Sequence, residues 1–193
     1  MRPLAQFLKT LSTGPMVVVA TIIFVFFITS ILPGQKAKMD TYAGEVGTID
    51  LSFFPSPDLV YAMAEAYGED GRHKYIVSRV SLDIVWPLAY TFFMVSLITF
   101  CMVRVHGSDS RWVNLNLSVV AVLLLDFIEN GLAAFVMAAY PDRYDGIVYI
   151  MATITATKWI MMGGTGLVML YGIIALHVAL INNRSYSPLL SIL

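Results

Sequence analysis

Leu123 to Phe135 reads LLLDFIENGLAAF: it has the apolar content of a membrane helix, yet it carries Asp126, Glu129 and Asn130 within five residues. On a helix Asp126 falls angularly between Glu129 and Asn130, so one face shows all three. Each charge at the centre of a lone membrane helix costs at least about 2.5 to 3.5 kcal/mol on insertion scales, so two acids outweigh several leucines. They are expected to face the interior of a helical bundle and to find partners there.

Outward from this segment the composition is that of a lipid-embedded chain: 58% of the 193 residues are hydrophobic and 13% are charged. A net charge of -1 with scattered basic residues argues against a nucleic-acid partner. Cys101 is the single cysteine, so there is no internal disulfide and no cysteine metal cage; it reads as a small buried hydrophobe. Four apolar segments stand out, at about 16–32, 82–105, 112–140 and 148–181. The first is uncharged, exceeds a secretory core and runs into PGQKAKM, as an uncleaved anchor does. Short connectors, HGSDSR and PDRYDG, make the last three antiparallel neighbours. The expected fold is all-α: a single polytopic membrane domain, a four-transmembrane-helix bundle with an extracytoplasmic loop over 33–79.

Orientation follows from Lys and Arg near short loops. Arg2, Lys9, Arg104, Arg111 and Arg184 share one side if both termini are cytoplasmic, while Lys36 and Lys38 weigh against it. The expected location is the cytoplasmic, or inner, membrane. In the loop, PGQKAKMDTYAGEVGTIDLSFFPS predicts an irregular segment or a brief strand. SPDLVYAMAEAYGEDGR predicts a helix over about 57–67, with Ser56 as N-cap, Pro57 at the first position and Gly68 as the stop. Leu59, Ala62, Met63 and Ala66 would form its apolar side. A new helix is expected after Gly71, running unbroken into the second span.

That helix carries a polar stripe, Arg72, Arg79, Asp83 and Tyr90, at spacings of seven and four. Arg79 and Asp83 are an i, i+4 pair. Pro87 donates no hydrogen bond and frees the carbonyl four residues earlier, that of Asp83. The plainer reading of VWP is a kink with Trp86 as an interfacial anchor. In the fourth segment, TITATKWIMMGGTG, Thr153 and Thr157 share a face, and Lys158 is the cation available to Glu129 or Asp126. Gly163, Gly164 and Gly166 would admit a close neighbour. Counting about 1.5 Å per residue from Arg104, Trp112 and Asn182 puts Asp83 about 31 Å up, Asp126 about 21 Å, Glu129 about 25 Å and Lys158 about 36 Å. Counting inward from Pro141 and Val148 instead puts Glu129 and Lys158 nearly level, about 18 and 15 Å below the helix ends.

Other chemistries find no support. There is no phosphate-binding Walker loop, dinucleotide glycine fingerprint, nucleophile elbow or His-Glu-x-x-His pair. His73, His106 and His177 lie far apart along the chain, so neither a metal nor a haem is expected, and no cofactor. Tyr61, Tyr67, Tyr75, Tyr90, Tyr140, Tyr144 and Tyr149 gather toward one side and read as an interfacial belt. GEDGR, Gly68 to Arg72, places Arg72 over the mouth of the site, where an anionic head group would be welcome.

The series GEDGR, Tyr75, Asp83, Pro87, Tyr90, DFIEN, Pro141 and Thr157-Lys158 resembles a group of small bacterial four-span membrane proteins of unassigned activity. The resemblance covers about 57–158 and implies the four-helix architecture without a mechanism.

A single buried ion pair would serve packing alone. Three acids, a lysine, an arginine, an asparagine and several threonines exceed that need, and intramembrane ionisable residues mark function. The leading expectation is a bundle that binds a lipid or small amphiphile from the outer leaflet, with transport or chemical alteration of it left open. Asp83, Asp126, Glu129, Asn130, Lys158, Tyr90 and Thr157 would line the site, and Arg72 or Arg79 would stand at its mouth. The second is a non-catalytic subunit or assembly factor held by a membrane-protein partner or by its own copies. The third, a proton-coupled carrier, would need to dimerise.

Overall fold

The computed structural model describes residues 7–9, 12–43 and 52–186, with the backbone alone at 43 and 183–186. All regular structure among them is helical: α1 (Gly14–Phe26), a π turn (Phe27–Ile31), α2 (Leu32–Ala43), α3 (Pro57–Arg79), α4 (Leu82–His106), a 3-10 turn (Arg111–Asn116), α5 (Leu117–Ala139) and α6 (Asp145–Tyr186). Four stretches are long and apolar enough to cross a membrane: Gly14–Tyr42, Pro57–His106, Arg111–Ala139 and Asp145–Asn182. The most apolar window of the first is 6% buried and that of the last 11%, so side chains such as Ile22, Phe26, Ile160 and Leu167 face outward. Apolar surface on that scale is stable in hydrocarbon and not in water, as a multi-pass membrane protein requires.

The first helix does not end at Pro33. Proline lacks an N–H and its ring crowds the carbonyl four residues back, which ordinarily stops a helix. Here the ladder widens just before it: the Leu32 N–H bonds the Phe27 carbonyl five residues earlier, and the chain stays helical to Ala43. The expected loop is therefore helical over 32–43, and the rest of the irregular stretch, 44–51, lies outside the described residues. Trp86 is half-buried against neighbouring rings. It stacks on Phe24 at 5.5 Å and Phe27 at 5.7 Å, joining α1 and the π turn to α4.

Ser56 caps α3 as expected, accepting the Leu59 N–H at 3.3 Å, and Pro57 follows. Gly68 is a break and not a stop, with φ 61° and ψ -175°, a conformation essentially closed to residues bearing a Cβ. The helix resumes at once and includes Gly71, where an added Cβ would sit 3.1 Å from that of Tyr42 on α2. The buried side consists of Val60, Tyr61, Met63, Ala64 and Tyr67, while Ala62 and Ala66 are exposed. Nor does the helix run unbroken into the second span. At Ser81 the hydroxyl donates to the Val77 carbonyl at 2.6 Å, and Val80 and Ser81 make a turn between α3 and α4.

Two apolar cores result. One joins Val60, Met63 and Tyr67 of α3 to Ala133, Val136 and Met137 of α5 and Val148 and Met151 of α6. The other joins Met94, Ile98 and Met102 of α4 to Val119 and Val122 of α5. A single face of α5 serves both, and Asp126, Glu129 and Asn130 lie on it between them. At the end away from α3, Lys9 donates to the Ser108 carbonyl, so the N-terminal segment and the α4–α5 connector share that end. At the α3 end, Arg143 bonds Asp58 at 2.7 Å and Asp145 at 3.2 Å, tying the α5–α6 turn to the start of α3.

Candidate functional site

The layer between the two cores is polar and drawn from α3, α4, α5 and α6. Lys158 of α6 bonds Asp126 at 2.9 Å and also pairs with Glu129. Both α5 acids therefore share one cation. The second oxygen of each is held as well: Tyr90 donates to Asp126 at 2.8 Å and Thr155 to Glu129 at 2.8 Å. Ion pairs out of water repay their desolvation only when the remaining lone pairs are so satisfied. The pairing sets Glu129 and Lys158 level, as the count from Pro141 and Val148 gives. The count from Asn182 fails because α6, 42 residues and about 63 Å long, exceeds a hydrocarbon layer of about 30 Å.

Beside this group stands a second. Arg79 donates to Asn130 at 2.9 Å and to Tyr75 at 2.6 Å, and lies 3.3 Å from the Asp83 carboxylate. The i, i+4 pair expected of one helix thus forms across the α3–α4 turn. Asn130 uses both ends of its amide. While its oxygen accepts from Arg79, its nitrogen donates to the Asp83 carbonyl at 2.9 Å, the group that Pro87 leaves without a helical partner. Asp126 and Glu129 also act on Arg79 through space, which makes the two groups one electrostatic unit.

Arg79, Asp126, Glu129 and Asn130 are each 8% exposed or less. Asp83 is the acid nearest the surface, with 22% of its side chain exposed. Its Oδ2 accepts from Ser78 at 3.4 Å, and Ser78 accepts from Gln35 of α2 at 2.5 Å. Three carboxylates face two cations, so the layer carries one negative charge in excess when all are ionised. Such a set can bind a cationic group, hold a proton or orient a polar head. Among the described residues no group of three His, Cys, Asp or Glu is arranged to hold a metal ion.

Two expected members stand apart. Thr157 is exposed and bonds the Thr153 carbonyl of its own helix at 2.7 Å; Thr155, on the opposite side, is the buried one. Stepping three residues back from Lys158 finds it, because the inward row of α6 runs Val148, Met151, Thr155, Lys158. Arg72 turns to the Ala64 carbonyl at 2.9 Å and covers the Tyr140 ring at 4.5 Å, bracing the break at Gly68. Tyr75, Tyr67, Tyr61 and Tyr90 are core residues and not a belt, each 6% exposed or less. Tyr75 was findable, since 75, 79 and 83 are a run of fours. Gly163, Gly164 and Gly166 meet no neighbour, whereas Gly172 faces Cys101 so closely that an added Cβ would lie 3.0 Å from the cysteine's.

No family model, no curated protein and no solved structure matches this chain, so the resemblance to small bacterial four-span proteins rests on the residue pattern alone.

Proposed function

We propose that this protein binds a lipid or other small amphiphile at the polar layer, from the outer leaflet of the cytoplasmic membrane. Both termini are cytoplasmic in this reading, with α3 and the α5–α6 turn outside. The contact of Lys9 with Ser108 supports it, because it gathers Lys9, Arg104 and Arg111 at one end. Arg2 and the Arg184 side chain lie outside the described residues.

The observation that carries the proposal is the uneven charge of the layer together with its path to the surface. A network that served packing alone would gain nothing from a third carboxylate, and intramembrane charges are costly enough to persist chiefly where they act. Asp83 links that charge through Ser78 to the partly exposed Gln35 of α2. The apolar cores on either side exclude water, so a polar head held there would feel these charges strongly.

The test is mass spectrometry of lipids and small molecules that co-purify with the wild type, with Glu129→Gln and with Lys158→Met proteins of verified monodispersity. Glu129→Gln keeps the side chain's shape and leaves the Lys158–Asp126 pair intact, so it is the variant expected to fold. The expected result is a species enriched on the wild type and lost from both folded variants. The same lipids on all three proteins would make the layer a packing device.

A further inference from the structure

A groove of about 410 Å³ opens between α2 and the α3–α4 turn, lined by Lys38 and Thr41 on one side and by Lys74, Val77, Ser81 and Leu82 on the other. Its size is within the range of small-ligand sites. Ser78 and Gln35 also line it, so the hydrogen-bonded path to Asp83 starts at its wall.

The groove's free donors are two ammonium groups. Lys38 and Lys74 have no ion-pair or hydrogen-bond partner among the described residues, whereas their neighbour Lys36 is held by Asp40 at 2.6 Å. The hydroxyls of Thr41 and Ser81 already donate to backbone carbonyls. What the groove offers is therefore positive charge without a fixed fork, which suits the diffuse charge of a phosphate ester.

Its place in the fold adds the second half of the ligand. The groove lies where the apolar α1 and π turn give way to the polar α2, the change of composition expected of a helix that leaves hydrocarbon for the head groups. Just beyond Leu82, α4 exposes Ile84, Val85 and Leu88, an apolar track for an acyl chain. A phosphate bound between the lysines would set its glycerol beside Ser78 and its chains along α4.

We infer that the groove between α2 and the α3–α4 turn, with Lys38 and Lys74 as its cations, receives the phosphate of an anionic glycerophospholipid. The inference names the ligand class of the proposed site and rests on that reading. The role foreseen for Arg72 passes to these two lysines.

The experiment is native mass spectrometry of the full chain in neutral detergent, titrated with phosphatidylglycerol, phosphatidylcholine, diacylglycerol or glycerol 3-phosphate. The proteins compared are the wild type, Lys38→Gln/Lys74→Gln and Glu129→Gln. The wild type is expected to prefer phosphatidylglycerol, and the double lysine variant to lose about thirtyfold in affinity for it, at about 1 kcal/mol per lysine near an anionic head. Both lysines are exposed, so the variant should fold as the wild type does. Equal binding of phosphatidylglycerol and phosphatidylcholine, or an unchanged double variant, overturns the inference. If Glu129→Gln alone abolishes lipid binding, the polar layer binds lipid and the groove does not. If the lysine variant alone loses phosphatidylglycerol, the groove stands and the function proposed for the layer falls. Glycerol 3-phosphate displacing the lipid with the same dependence on the lysines would make the ligand a free phosphate ester and overturn the lipid.

Discussion

Asn130 joins two problems that the chain creates separately, a proline that strips a carbonyl of its helical partner and an arginine buried between two cores. Its amide oxygen serves Arg79 and its nitrogen serves the Asp83 carbonyl. Asn130→Leu keeps the branching and the number of heavy atoms and removes both bonds, and an unsatisfied buried group costs about 1 to 3 kcal/mol. Pro87→Ala returns an N–H that can reach the same carbonyl. The cost of Asn130→Leu should therefore fall by about 1 kcal/mol in a Pro87→Ala background. Thermal unfolding of the four proteins in mild detergent measures this; strictly additive costs would mean that the carbonyl is not what Asn130 serves.

At the scale of elements, two glycine positions on α6 make opposite predictions. Gly172→Ala would force a methyl to 3.0 Å from the Cys101 Cβ, overpacking that costs about 1 to 3 kcal/mol. Gly163→Ala meets nothing within 4 Å and removes a flexible residue from a helix, so it should stabilise by about 0.5 to 1 kcal/mol. The measurement is the unfolding midpoint of each variant. A destabilised Gly163→Ala would mean that another helix, from a partner or a second copy, occupies that face. The glycines also show what a sequence conceals. The polar face of α5 was legible because its acids recur at helical spacing within a strongly apolar helix. Helix α6 is apolar all round, so nothing in its own periodicity says which threonine or glycine turns inward. That choice is made by α4 and α5, to which Thr155 and Gly172 are fitted. Pro33 and the Val80–Ser81 turn depart from the expectation for a related reason: a π turn before Pro33 and a turn at Val80–Ser81 rearrange the local hydrogen bonds in ways that residue type does not announce.

For the whole molecule, the prediction concerns which way it sits. With Cys101 replaced by alanine, a cysteine at Asp142 should react with an impermeant thiol reagent on intact cells, and a cysteine at Ser108 only after permeabilisation. The reverse pattern would turn the bundle over and move the polar layer to the inner leaflet. The four spans and the existence of a charged face were open to sequence reading because both are matters of hydropathy and local period. The extension of the first helix to Ala43, and with it the groove against α3, depended on contacts between distant segments.

The polar layer also bears on the order in which the chain is made. Synthesis runs from the N-terminus, so α5 is complete while Lys158 has yet to be added. Until then Asp126 and Glu129 have only Tyr90 and the guanidinium of Arg79 to face, and Thr155 is missing too. A helix with two unmatched acids partitions poorly into hydrocarbon. A nascent bundle without α6 therefore leaves the acids of α5 short of the cation that pairs with both. Helix α6 brings the counterion that the previous helix needs to sit in hydrocarbon.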